Sequence, residues 1–243
     1  MSTLYIDCGA GASKDCMAAS LADLTGAPDG LCRALESSGI PGLRAELSKE
    51  TVNGTTGLRL RILIDEKEEG QSHEHVHRRL SDIEETVGGL NLSETVKKDI
   101  IGIYGILAEA EAKAHGRPVG EVHFHEVGSL FAVAYIAASC IAMDMLSPDT
   151  VIASPIRTGY GEISCAHGIL SVPAPATANI LRGIPSYAGD DEGEFCTPTG
   201  AAIVRHFADG FSDAGMEAGR EGYGSGRRMP ASAPFLRTAI GRD

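Results

Sequence analysis

Apolar and polar positions along the chain alternate in ways that mark out helices and strands in turn. Leu4-Tyr5-Ile6 is a short apolar run fit for a buried strand, ended by a Gly-rich turn, Cys8-Gly9-Ala10-Gly11-Ala12-Ser13. Helical spacing follows over about Asp15 to Leu24 and Asp29 to Ser38, the second stopped by Gly39 and Pro41. Period-two alternation near Leu43 to Val52 and Leu58 to Ile64, joined by Asn53-Gly54, predicts a hairpin, because Asn-Gly tolerates the positive φ of a tight turn. The charged stretch Asp65 to Gln71 reads as a loop and is the best candidate for an internal boundary, near residues 65–72. Two helices are predicted next, about Ser72 to Val87 and Ser93 to His115, with Ser93 as a cap and Gly116 as a stop.

An Ala-rich helix over about Ser129 to Leu146 has small residues on several faces, which predicts close burial. Val151 to Val172 reads as short strands with Gly turns, and Pro173 and Pro175 suit the first turn of a helix running to Leu181. Thr197 caps a further helix, Pro198 to Ala208, and two strands are expected around Gly222 to Gly226. The alternation of helices and strands, with a hairpin included, predicts an α/β fold with a mixed sheet and flanking helices, α+β being the alternative. The 243 residues are enough for one sizeable core, and we read residues 1–243 as a single region.

Composition narrows the function classes. A hydrophobic content of 43% argues against disorder. No apolar run approaches the ~18 residues of a membrane span, and Met1-Ser2-Thr3-Leu4 lacks a basic and then apolar leader, so a cytoplasmic location is expected. A formal net charge of −12 disfavours nucleic acid and anionic membranes as partners. Six dispersed cysteines without a paired motif read as free thiols.

Candidate chemistry concentrates in Val122-His123-Phe124-His125-Glu126-Val127-Gly128. In an extended segment His123 and His125 point to one side, and with Glu126 they make a common ligand set for a divalent transition metal; a strand end with two polar side chains in a cleft wall is the alternative. Cys165-Ala166-His167-Gly168 offers a thiol and an imidazole at the same spacing. The turn holding Gly9, Gly11 and Ser13 precedes a helix whose free N–H groups suit an anion, with Lys14 beside them, Asp7 at the strand end and Asp15 at the helix start; a tight turn capped by Asp15 would look the same. Thr197, Thr199 and Gly200 form a phosphate pocket or an ordinary helix cap, and Gly224 and Arg227, in Gly222-Tyr223-Gly224-Ser225-Gly226-Arg227-Arg228, an anion nest or a turn. His73 and His77 would share a helical face, as weak ligands or as part of a solvated surface.

Taken in order, Asp7-Cys8, His123 to Gly128, Cys165 to Gly168, Val172-Pro173-Ala174-Pro175-Ala176-Thr177, Thr197-Pro198-Thr199-Gly200-Ala201-Ala202 and Gly222-Tyr223-Gly224 resemble the N-terminal part of LarC-type proteins, the nickel insertases of nickel-pincer nucleotide cofactor assembly. The resemblance covers nearly the whole chain. It implies insertion of nickel into a pyridinium-3,5-bisthiocarboxylate mononucleotide, with nickel–sulfur and nickel–carbon bonds formed and CTP hydrolysed alongside manganese or magnesium. It further implies nickel ligation by His123, His125, Glu126, Cys165 and His167, acid/base work by Glu126, Asp7 and Asp15, and an anionic mononucleotide on the Gly- and Thr-rich turns. Two departures stand out. Phe131 and Tyr135 occupy positions where the family has aspartates, and the family commonly continues into a second, nucleotide-associated domain, which a separate polypeptide would have to supply. A non-catalytic metal- or nucleotide-binding carrier on the same scaffold is the main alternative, and a metal-dependent hydrolase using His123, His125 and Glu126 a weaker one.

Overall fold

Eight strands form one mixed sheet in the computed structural model of the protein, which describes residues 1–69, 78–165, 168–216 and 219–242. The apolar run at the start is β1 (Ser2–Asp7), and it lies centrally, antiparallel to β14 (Leu236–Arg242) and parallel to β5 (Thr150–Ala153). The sheet order is β12-β5-β1-β14-β13-β3-β2, with β12 at Gly210–Phe211 and β13 at Arg220–Ser225. The Asn-Gly signal makes the hairpin of β2 (Leu43–Val52) and β3 (Thr55–Ile64), with Asn53 and Gly54 at φ 51° and 80°. The charged stretch that reads as a loop instead contributes β4 (Lys67–Glu68), which pairs with β3; Asp65 and Glu66, both at positive φ, turn the chain back onto it.

Helices α1 (Lys14–Thr25), α2 (Pro28–Glu36) and α5 (Leu130–Leu146) pack on the sheet, and α4 (Glu94–His115) packs on α5 together with α3 (Leu80–Gly88), α6 (Pro175–Ile180) and α7 (Pro198–Phe207). The described part of α3 starts later than the helix expected from Ser72, and His73 and His77 lie outside the described residues. The caps are those the residue types dictate: Ser93, Ser129 and Thr197 accept backbone N–H groups of Val96, Ala132 and Gly200, satisfying donors that have no partner inside the helix. Ala-rich α5 buries every position from Phe131 to Met143, and the apolar core it helps to form runs from Leu4 to Leu236. No described helix is long and apolar enough to cross a membrane.

The alternating glycines near the end of the chain have a packing role. A Cβ on Gly222 would lie 2.3 Å from the Ser20 carbonyl oxygen, and one on Gly224 would lie 2.2 Å from the Ser20 nitrogen. β13 therefore lets the backbone of α1 rest directly on it, which no residue with a side chain would allow. Between β5 and α7 the chain makes short pairs: β6 (Ile156–Arg157) with β10 (Ser186–Tyr187), β7 (Gly159–Tyr160) with β11 (Gly193–Glu194), and the hairpin of β8 (Glu162–Cys165) with β9 (Gly168–Ser171).

Candidate functional site

The start of α1 organises the site. Ala12 N–H donates to the Phe195 carbonyl at 2.8 Å, and Thr197 N–H donates to the Ala12 carbonyl at 2.9 Å, so the Gly-rich turn is zipped to the segment leading into α7. The two glycines beside this seam are there for contact. A Cβ on Gly11, at φ 92°, would meet the Phe195 carbonyl oxygen at 2.2 Å, and one on Gly200 would meet the Ala12 carbonyl oxygen at 2.1 Å. Lys14, just past the seam, joins the wall of a cleft of about 300 Å³.

That cleft collects side chains from distant parts of the chain. Glu111 and His115 come from the last turns of α4, His125 and Glu126 from the connection to α5, and Ile163 and Leu170 from the β8–β9 hairpin. Ala174 to Ala176 bring the start of α6, Glu194 comes from β11, and Thr197 to Thr199 bring the start of α7. Thus parts of the His-Phe-His-Glu, Pro-Ala-Pro-Ala and Thr-Pro-Thr-Gly motifs face one space.

The two imidazoles stand differently with respect to this cleft. Val122 and Phe124 are buried, and Phe124 forms a two-way backbone bridge with Arg78, its N–H donating to the Arg78 carbonyl at 2.8 Å. At His125 the backbone leaves the extended region, with φ −91° and ψ −98°, and turns into a 3₁₀ segment over Glu126–Gly128. The extended stretch thus ends at His125, with Val122 and Phe124 buried and His123 and His125 both partly exposed. His125 and Glu126 line the cleft, whereas His123 does not. Gly128 is a contact residue too, since a Cβ there would lie 2.8 Å from Phe124 Cβ. The backbone of Cys165 closes β8, and His167 lies outside the described residues. Among the described residues no three of His, Cys, Asp or Glu converge as a metal-holding group.

Asp7 and Asp15 lie elsewhere. Asp7 caps the turn after β1, accepting from Gly9 N–H at 3.1 Å, with Arg237 3.9 Å away. Asp15 is buried and fully engaged: it accepts from Ser13 Oγ, from Cys16 N–H at 3.0 Å and from Arg227 N–H at 2.7 Å. It thereby latches α1 to the segment after β13, and Gly226 is small because Asp15 sits against it. Gly224 lies under α1, and the Arg227 side chain pairs with Glu69, as does Lys14 at 3.1 Å. Phe131 and Tyr135 are core residues here. The Tyr135 hydroxyl donates to the Leu60 carbonyl at 3.2 Å, burial raises its pKa, and Lys14 Nζ stands 5.8 Å from its ring centre.

Electrostatically the cleft is a mixed site. Glu194 has its pKa raised to about 7, first by burial and then by the charge of Glu126, against the opposing pull of Arg228 and Lys14. Burial lowers the Lys14 pKa, with Asp15, Glu126 and Glu194 among the charges that restrain the shift. Two groups of the cleft, Glu194 and the His115–Glu111 pair at 3.6 Å, were missed from sequence. The pair had a usable signal in its i, i+4 spacing at a helix end, while a single Glu in a two-residue strand carries none.

Comparison with known proteins agrees with the motifs. The sequence model of the family described as "Nickel insertion protein" matches residues 4–243. A pyridinium-3,5-bisthiocarboxylic acid mononucleotide nickel insertion protein of Geobacillus kaustophilus is 38% identical over 249 residues, covering 100% of this chain and 60% of its own length. Proteins of the same name from Clostridium kluyveri and Akkermansia muciniphila are each 38% identical, covering 100% and 97% of this chain and 63% and 59% of their own lengths. The chain thus spans about three fifths of the length of these curated relatives. No solved structure matches the chain.

Proposed function

Because the chain belongs to the nickel insertion protein family, we propose that it forms one part of the site that inserts nickel into pyridinium-3,5-bisthiocarboxylic acid mononucleotide. The observation that carries this reading is the convergence of His125, Glu126, Glu194 and the Thr197–Thr199 segment, with Lys14, on a single cleft. Imidazole and carboxylate donors suit Ni(II) as it arrives. Thr199 N–H at the start of α7, together with Lys14, which also pairs with Glu69, offers an anionic substrate its counter-charge. The Ile163, Leu170 and Ala174 side of the cleft gives a flat heteroaromatic ring an apolar surface.

In this reading CTP and its manganese or magnesium ion are used by the remaining two fifths of a full-length relative, and the same region in a separate polypeptide would complete the enzyme. The test is to incubate the purified chain with the bisthiocarboxylate nucleotide, nickel, CTP and manganese, with and without that region, and to follow metallated product by mass spectrometry. Product that requires both components supports the reading, and no product under any combination refutes it. The burial of Phe131 and Tyr135 favours a second reading, a carrier that binds nickel or nucleotide without converting them; tight nucleotide binding without product would support it.

A further inference from the structure

We propose that Glu194 is the catalytic residue that accepts the ring proton when nickel is inserted. This rests on the nickel insertion reading above and names a chemical role within it. Substituents at positions 3 and 5 of a pyridinium ring flank C4, so a nickel ion held by both sulfur-bearing arms lies against C4. A third bond, from carbon to nickel, requires the C4–H bond to break. The carbon keeps the electron pair and donates it to Ni(II), the proton leaves to a base, and nickel remains divalent, so no oxidant or reductant enters.

The cleft offers three carboxylates for that proton, and their surroundings distinguish them. Glu111 is paired with His115 at 3.6 Å. Glu126 follows His125 and is the natural oxygen ligand for the incoming metal. Nothing among the described residues donates a hydrogen bond to the Glu194 carboxylate; only charges at a distance act on it. A half-buried carboxylate without donors is poorly stabilised as an anion and gains most by taking up a proton.

Its position is also fixed. β11 pairs with β7, Phe195 N–H donates to the Thr158 carbonyl at 3.0 Å, and the Phe195 carbonyl accepts from Ala12. The backbone beside Glu194 is therefore held from two sides, as a base must be to meet one particular hydrogen. The charged and titratable groups acting on it are Glu126, Lys14 and Arg228, with the Cys196 thiol two residues along and His125 in the same cleft. Their balance, dominated by burial, places its pKa at about 7, where a general base works best near neutral pH.

The test uses the full chain, together with the second region if the wild type needs it, in single turnovers with nucleotide carrying hydrogen or deuterium at C4. Glu194→Gln is expected to slow metallation about 100-fold or more while nucleotide affinity stays within about threefold. Glu194→Asp is expected to retain part of the rate. The wild-type rate should rise with pH through about 7 and fall on C4 deuteration. An active wild type with an equally active Glu194→Gln overturns the role of Glu194 and leaves the nickel insertion reading standing. Parallel losses of rate and nucleotide affinity would mark Glu194 as structural and also overturn the role. A wild type that is inert under every condition removes both. Should Glu194→Gln fail to fold, the wild type and Glu194→Asp decide the matter: rates insensitive to C4 deuteration and flat across about pH 5 to 9 overturn it.

Discussion

Replacing Glu194 by Gln should stabilise the fold at alkaline pH and leave it nearly unchanged at acid pH. The sign follows from linkage. A carboxyl whose pKa is higher in the folded protein than in the unfolded chain favours folding while protonated, and that advantage is lost as pH rises through the folded value. Glu194 moves from an ordinary value of 4.5 to about 7. At ~1.4 kcal/mol per pH unit the fully ionised group would cost the fold about 3 kcal/mol. The side chain meets cleft water, which screens the charges, so about 1–2 kcal/mol is expected. Gln keeps the shape and removes the charge. Urea melts of wild type and Glu194→Gln at about pH 4 and pH 8.5 would measure the difference, since every other titrating group is common to both proteins. The variant should gain about 1–2 kcal/mol over wild type at the higher pH and almost nothing at the lower. A difference independent of pH, or one that favours wild type at alkaline pH, would refute the argument that burial holds this carboxyl near neutrality.

Further consequences are open to measurement. Gly200→Ala in α7 should destabilise the protein by about 3 kcal/mol in thermal or urea unfolding, the opposite of the ~1 kcal/mol gain usual for Gly→Ala within a helix, because the new Cβ would lie 2.1 Å from the Ala12 carbonyl oxygen. Tyr135→Phe should cost about 1 kcal/mol through loss of the 3.2 Å bond to the Leu60 carbonyl. Under the proposed function, His125→Ala with Glu126→Ala should weaken nickel binding about tenfold in calorimetry, whereas His123→Ala should change it less than about twofold; equal effects would mean that His123 reaches the metal after all.

Legibility from sequence varied with the kind of signal. The Asn53-Gly54 hairpin, the Ser93 and Thr197 caps and the buried Ala-rich helix are all visible, because each depends on local stereochemistry or on a periodicity sustained over many residues. Lys67–Glu68 reads as loop in the sequence, because a two-residue strand of charged side chains has no periodicity; its pairing is imposed by the positive-φ turn at Asp65 and Glu66. The same-side expectation for His123 and His125 rests on the alternation through residues 122–125; the backbone turns only after it, and of the two His125 lines the cleft. Glu194 was invisible because what distinguishes it is burial without donors, a property of its neighbours and not of its own residue type.

The glycines teach the most about how this site is built. A glycine allows close approach, and sequence cannot say whether the approaching group is a ligand or the protein itself. Gly11 and Gly200 admit the seam between the first turn and the segment before α7, Gly224 admits α1 onto β13, and Gly226 admits the Asp15 carboxylate. Each of these contacts fixes the N-terminus of α1 against a different part of the chain. Asp15, whose three donors make it a latch, completes the clamp from the side of Arg227. Lys14 lies between the seam and the latch, so its backbone is held on both flanks; its ammonium group pairs with Glu69, and its side chain feels the charges of Glu126 and Glu194. Residues that look like a phosphate cradle in sequence thus also hold the backbone rigidly, and that rigidity sets where Lys14 stands beside the cleft.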